Sequence, residues 1–211
     1  MKRTTSSTGR QGFTLIELLA VVAIILLLFT LISPQISKAR FKAKMVQQSH
    51  HARSIVEAIL AKESGSRFSK GWPQSGDTNT TTSTEYLVSL VEGGYLDVDY
   101  SFFAGPNMRP AIDRDDFESN GDECNSWIIV LDLNDGTKGN LPAVYQRNYE
   151  MGSSEFSDEF MPTGLKGFAF ATKNGEAVVV EPADMEDDDA FRSIFHLDDF
   201  DDLGEVNLME P

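Results

Sequence analysis

The chain has 211 residues, a net charge of −15 and a single cysteine, Cys124. One cysteine excludes a disulfide within these residues. The acidic excess lies in residues 71–211, where thirty Asp and Glu outnumber seven Lys and Arg. This disfavours nucleic acid as a partner, because phosphate binding needs a basic surface. The surplus is typical of an exported, soluble surface; alternatively, a divalent cation or a basic partner reduces the repulsion.

A basic leader and a long apolar run open the chain. Residues 1–12 carry three basic side chains and no acidic one, and the run from 13 to 32 contains one charge, Glu17. A helix of about 20 residues spans roughly 30 Å, the thickness of the hydrocarbon core of a bilayer. We therefore expect this run to be inserted in a membrane, with no core in the remaining polar chain large enough to bury it.

A cleaved secretory signal peptide is the competing interpretation. Such a peptide has an apolar stretch of about 7–15 residues followed by small residues, whereas this run is longer and Ser33–Pro34 is a poor cleavage site. Gly12 precedes the run, and a cut after it would leave an α-ammonium on Phe13, one helical turn from Glu17. A lone carboxylate at mid-bilayer costs about 2.5–3.5 kcal/mol, so either that ammonium neutralises Glu17 or Glu17 reaches the headgroups or is protonated.

The segment GFTLIELLAVVAIILLLFTLISPQ, after a basic leader ending in glycine, resembles the N-terminus of type IV pilins and of the pseudopilins of type II secretion. The resemblance implies that prepilin peptidase cuts between Gly12 and Phe13 and that Phe13 is then N-methylated. It also implies that Glu17 meets the Phe13 amine of an adjacent subunit, and that Pro34 is the proline that commonly weakens the helix.

The implied protein is a structural subunit of a type II secretion pseudopilus or a type IV pilus-like filament. Its partners would be prepilin peptidase, other pilin or pseudopilin subunits including copies of itself, an inner-membrane assembly platform and the lipid bilayer. It would cross the bacterial inner membrane once, with its head outside the cytoplasm. The alternative is a non-polymerising minor or tip subunit, or a membrane-tethered binding module of the same machinery. Counting basic residues leaves the orientation ambiguous, because four of them follow the run: Lys38, Arg40, Lys42 and Lys44.

Five regions are expected: a leader (1–12), a transmembrane or filament-core helix (13–34), an amphipathic stem helix (35–63), a globular head (64–183) and an acidic tail (184–211). Apolar residues recur at steps of three and four along the stem, from Ile36 through Val46 to Leu60, which predicts a face that packs on the head. Pro34 is expected to kink or locally melt the helix.

The head is predicted to be α+β, the pilin-like plan of a long N-terminal helix packed on a small antiparallel sheet with irregular acidic loops. Thr82 and Glu85 have the spacing of a capping box, and Gly93–Gly94 would end that helix. Strands are predicted at 126–133, 143–146, 167–172 and 176–181, in a sheet of three or four. Asn174–Gly175 predicts a type I′ turn. The tail is expected to form a short helix at 188–196 and then fray.

No catalytic motif is present: the sequence has no nucleophile elbow, phosphate loop or paired-histidine metalloprotease helix, so we do not expect an enzyme. Calcium is the one ligand to consider, because it takes carboxylate and carbonyl oxygens and major pseudopilins often bind it in a C-terminal loop. Two clusters offer such oxygens, and neither has the full loop pattern: Asp132, Asn134 and Asp135, and then Asp198, Asp199, Asp201 and Asp202. A solvated acidic surface without any cofactor is the simpler expectation.

Overall fold

The computed structural model describes residues 13–65, 72–76, 80–151, 167–196, 199 and 206–211. The chain divides into two compact units, Met1–Arg40 and Phe41–Pro211. Gly12 and the rest of the leader lie outside the described residues, as do Asp198, Asp201 and Asp202.

Helix α1 runs from Leu15 to Gly65 and continues without a break past position 34. Its sequence explains the length, because Leu, Ile, Ala, Lys and Gln dominate and Pro34 is the one proline within it. The helix does not end at this proline. The long helix predicted from the apolar run and the stem periodicity is therefore confirmed as one element.

The stem residues of α1 bury a stripe that begins at Met45. Ala52, Ile55 and Ile59 are at most a few per cent exposed and belong to the hydrophobic core of the second unit. The predicted stripe is wrong at Val46, which is 42% exposed although it lies one residue after the buried Met45. Periodicity reveals which residues are apolar, but the length of the buried stripe depends on where the head covers the helix.

Helix α2 spans Ser83–Glu92 and has the predicted capping box. The Thr82 hydroxyl accepts a hydrogen bond from the Glu85 amide at 3.2 Å, and the Glu85 carboxylate accepts from the Thr82 amide. The helix ends at Gly93, and Gly94 follows with φ +73°, a conformation that glycine adopts without strain. Three short elements follow: a 3₁₀ turn (Tyr100–Phe103) and the helices α3 (Arg114–Ser119) and α4 (Gly121–Cys124). They lie where the sequence predicted irregular acidic loops.

Five antiparallel strands form one sheet in the order β4-β3-β2-β1-β5. The strands are β1 (Trp127–Val130), β2 (Pro142–Gln146), β3 (Phe168–Thr172), β4 (Ala177–Val180) and β5 (Leu208–Met209). Every residue of β1, β2 and β3 is buried, so the sheet is covered on both faces. The observed α+β fold, a long N-terminal helix with a small antiparallel sheet, is the predicted pilin-like arrangement, with one strand more than expected.

A buried polar contact joins α1 to one face of the sheet. The Gln146 side-chain amide of β2 donates to the Gln48 side chain of α1 at 3.2 Å, and Gln146 in turn accepts from the Ala169 amide of β3 at 2.9 Å. Gln48 also donates to the Ala104 carbonyl at 3.2 Å. Buried amides that are hydrogen-bonded through both nitrogen and oxygen favour one alignment of helix and sheet, so these contacts position the stem residues around Gln48 on the sheet.

Helix α5 (Asp188–Phe195) covers the opposite face with aromatic side chains. The ring of Phe195 lies 5.0 Å from Phe170 and 5.8 Å from Tyr145, measured between centroids. Phe191 and Tyr149 complete the cluster at 5.4 Å from each other. The helix predicted at 188–196 is thus confirmed, and it forms a second layer on the sheet.

Two local expectations are wrong. The turn between β3 and β4 has a positive φ only at Gly175 (+80°), and the Gly175 amide donates to the Thr172 carbonyl at 2.8 Å. A type I′ turn needs positive φ at both central residues, whereas the loop at 173–175, closed by the bond from the Thr172 amide to the Glu176 carbonyl, has its one left-handed residue in third place. Residues 206–211 do not fray, because β5 pairs with β1 (Ile129 with Met209) and Glu210 accepts from the Ser83 amide at 2.7 Å.

Candidate functional site

The first unit presents an apolar helix surface without protein cover. From Phe13 to Phe29 the large apolar side chains are between 46% and 84% exposed. Within the described residues one helix, at Leu15–Ser64, is long and apolar enough to cross a membrane. Contiguous apolar surface of this size marks a site of contact with lipid or with other proteins.

Glu17, the single charge in this surface, is held by Thr14. The Glu17 carboxylate accepts from the Thr14 amide at 2.8 Å and from the Thr14 hydroxyl at 2.7 Å, both on Oε2. The Thr14 hydroxyl also accepts from the Glu17 amide at 3.3 Å. Since α1 begins at Leu15, Thr14 is the N-cap and Glu17 the third helical residue, which is a capping box.

The capping box gives Glu17 a partner inside its own chain. Two donors compensate part of the desolvation of a carboxylate, and its negative charge also lies at the positive end of the helix dipole. The sequence carries the signal, Thr followed three residues later by Glu before an apolar run. Sequence reasoning missed it because the charge within the apolar run directed attention to the Phe13 amine.

Phe13 precedes the capped turn and is 84% exposed. Its neighbour on the other side, Gly12, lies outside the described residues, and Pro34 is within the helix. The structure therefore brings together Thr14 and Glu17 among the residues of the N-terminal motif, whereas the roles of Gly12, Phe13 and Pro34 in processing and assembly rest on the sequence motif.

Two candidate calcium ligands of the first cluster, Asp132 and Asn134, are already engaged with protein donors. Asp132 has φ +63° and its two carboxylate oxygens accept from the Ser75 amide and the Asn207 side chain, each at 2.9 Å. The Asn134 side-chain oxygen accepts from the Gly136 amide at 2.9 Å. Asp135 is exposed. No three His, Cys, Asp or Glu side chains come together as a potential metal site in the part of the chain that the structure describes.

Asp199 is the one described member of the second calcium cluster. Its carboxylate pairs with the Lys138 ammonium at 2.5 Å and accepts from the Asn140 side chain at 3.0 Å. The hydrogen bond from Lys138 is the main cause that lowers the pKa of Asp199, with the Asn140 bond and the Lys138 charge adding to it. Asp199 therefore stays ionised and ties residue 199 to the loop between β1 and β2.

A long N-terminal helix with an exposed apolar first half and a small antiparallel sheet make up an α+β fold of pilin-like arrangement, which is consistent with a membrane-anchored protein. Residues 7–33 match the family model described as the prokaryotic N-terminal methylation motif, which is the signature of type IV pilins and pseudopilins. The motif implies processing by prepilin peptidase and association with other pilin subunits, and the family it marks is structural rather than catalytic. No curated protein and no solved structure matches the chain.

Proposed function

We propose that this chain is a structural subunit of a type II secretion pseudopilus or a type IV pilus-like filament. Prepilin peptidase cuts between Gly12 and Phe13, and Phe13 is N-methylated. The mature chain waits in the inner membrane with its acidic head outside the cytoplasm. It then enters the filament, where its first helical half packs against copies in neighbouring subunits.

The observation that carries this proposal is the uncovered apolar surface between Phe13 and Phe29. Leaving such side chains in water is unfavourable by about 25 cal/mol for each Å² of apolar surface. Lipid surrounds these side chains before assembly, and the helices of neighbouring subunits cover them afterwards. The same surface thus serves as membrane anchor and as assembly interface, and the matched motif supports this double use.

Glu17 supplies the register between subunits in this scheme. Both of its described side-chain hydrogen bonds reach Oε2, and we infer that the other oxygen accepts from the Phe13 amine of the adjacent subunit. Cleavage leaves the Thr14 amide intact, so the capped conformation is retained in the mature chain. A charge pair formed in an apolar environment favours the one alignment in which both charges are compensated.

Two variants at Glu17 separate capping from charge pairing. In Glu17→Gln the side-chain carbonyl still accepts from the Thr14 amide and hydroxyl, but the negative charge is gone. Glu17→Ala loses both. We expect both variants to be processed normally, and both to be recovered from filaments at least about tenfold less than wild type, because the missing contact is with a charged group. Recovery of Glu17→Gln from filaments at the wild-type yield would contradict the charge pairing and leave capping as the sole role of Glu17.

Mass spectrometry of the mature chain tests the processing step itself. We expect an N-terminus at Phe13 with one added methyl group, and an uncleaved band for Gly12→Val. A natural chain that begins at Met1, or that is cut beyond Ser33, would contradict the proposal. Cysteine crosslinking from the stem tests polymerisation, because ladders of identical copies support a filament subunit and single adducts with another protein support a non-polymerising subunit.

A further inference from the structure

Two backbone carbonyl oxygens of the loop between β1 and β2 bind the same lysine ammonium. Lys173, in the turn between β3 and β4, donates through Nζ to the carbonyl oxygen of Asn134 and, at 3.1 Å, to that of Thr137. The backbone of the same turn holds the lysine in place, since the Lys173 amide donates to the Leu141 carbonyl at 2.8 Å. Converging carbonyl oxygens are the ligands that a calcium ion uses.

The other oxygens of this loop have protein partners as well. The Thr137 amide donates to the Asn134 carbonyl at 2.9 Å, and the Thr137 hydroxyl accepts from the Asn134 amide at 3.0 Å. The carboxylate of Asp132 and the side chain of Asn134 are engaged as described above. A calcium ion takes six to eight oxygen ligands, and the loop would have to break several of these bonds to supply them.

The described part of the second cluster has the same arrangement. Asp199 faces the ammonium of Lys138 at 2.5 Å and the side-chain amide of Asn140 at 3.0 Å. Asn140 also contacts His196 Nδ1 at 3.0 Å. The loop between β1 and β2 thus receives one ammonium from the β3–β4 turn and supplies another to residue 199, so the described part of each candidate cluster has one lysine ammonium bound to its oxygens.

We propose that Lys173 and Lys138 act as built-in cations that replace a divalent ion in this head. Lys173 fastens residues 134–137 to the β3–β4 turn, and Lys138 fastens the chain beyond α5 to the same loop. The candidate residues that the structure describes do not fit calcium, and the fold of the head is independent of it. This inference rests on contacts within the second unit and stands whether or not the chain polymerises.

The test is amide hydrogen exchange of the full mature chain in detergent micelles, in chelator and in millimolar calcium. We expect the wild type to show the same exchange at residues 131–141 and the same melting temperature in both buffers. In Lys173→Met these amides should exchange about tenfold faster, because a hydrogen bond from a charged group to the backbone is lost. Lys38→Met removes the same charge from the exposed part of α1 and should leave residues 131–141 unchanged.

Slower exchange at residues 131–141 or a higher melting temperature of the wild type in calcium would overturn the proposal. So would exchange in both Lys173→Met and Lys138→Met that equals that of Lys38→Met. The wild-type comparison needs no substitution, and can therefore overturn the proposal even if a lysine variant does not fold.

Discussion

Replacing Phe195 with alanine should remove a large part of the stability of the head. The Phe195 side chain is fully buried, and its ring centroid lies 5.0–5.9 Å from five other rings: Tyr145, Tyr149, Phe168, Phe170 and Phe191. Truncating a buried phenylalanine costs about 3–5 kcal/mol, and aromatic contacts add to the lost apolar burial. We therefore expect about 4–5 kcal/mol.

The loss is measured by thermal unfolding of the mature chain in detergent, followed by near-UV circular dichroism of the tyrosines in the cluster. One kcal/mol shifts the melting temperature of a domain of this size by about 2–4 °C, so Phe195→Ala should melt about 8–20 °C lower. Phe195→Leu keeps most of the volume and should lose less than half of that. Ser193→Ala changes an exposed residue of the same helix and should be nearly neutral.

A loss below about 1 kcal/mol in Phe195→Ala would refute the reasoning. It would mean that α5 does not cover the sheet and that the acidic tail contributes only solubility. Loss of far-UV signal in the variant at low temperature would instead show that the aromatic layer is needed for the sheet to form. The loss of stability would then be larger than the ~4–5 kcal/mol expected above.

Two further perturbations test the head. Thr82→Ala removes the N-cap of α2 and should cost about 1 kcal/mol, while Thr80→Ala should not; equal melting temperatures would contradict the capping role. The bidentate hydrogen bonds from Arg109 lower the pKa of Asp116, so the stability they provide is present above about pH 4 and is lost as the pH falls. Asp116→Asn should flatten the fall in melting temperature between about pH 4 and pH 2; an unchanged slope would contradict this assignment.

Local rules predicted several elements correctly because the interactions that form them lie within a few residues. The capping box of Thr82 and Glu85 and the glycine stop after α2 each need fewer than five neighbouring residues. The β3–β4 hairpin was found from Asn174–Gly175, yet its turn type was wrong, because the turn also docks on the loop before β2 through the bond from the Asn174 amide to the Gly139 carbonyl.

The N-terminal site illustrates a pattern with two meanings. Thr14 and Glu17 have a capping-box spacing, but Glu17 is also the lone charge in an apolar run. That second feature predicted the amine of Phe13, the headgroups or a proton as the partner of Glu17, and not Thr14. The structure adds the intrachain partner. The role of Lys173 could not be found at all from the sequence, since nothing near position 173 indicates that its ammonium meets carbonyl oxygens 36 and 39 residues earlier.

The sequence by itself determined that the apolar run at 13–32 forms a helix with one carboxylate, Glu17, near its start, because hydrophobic patterning depends on residue type and short spacing. Only the tertiary structure decided that Phe191, Phe195 and Met209 of the acidic tail belong to the core. The pairing of Leu208 with Val130 and the packing of Phe195 on Tyr145 join residues some 50 to 80 positions apart. Their favourable energy appears only once the sheet has assembled and offers an edge and an aromatic face to receive them.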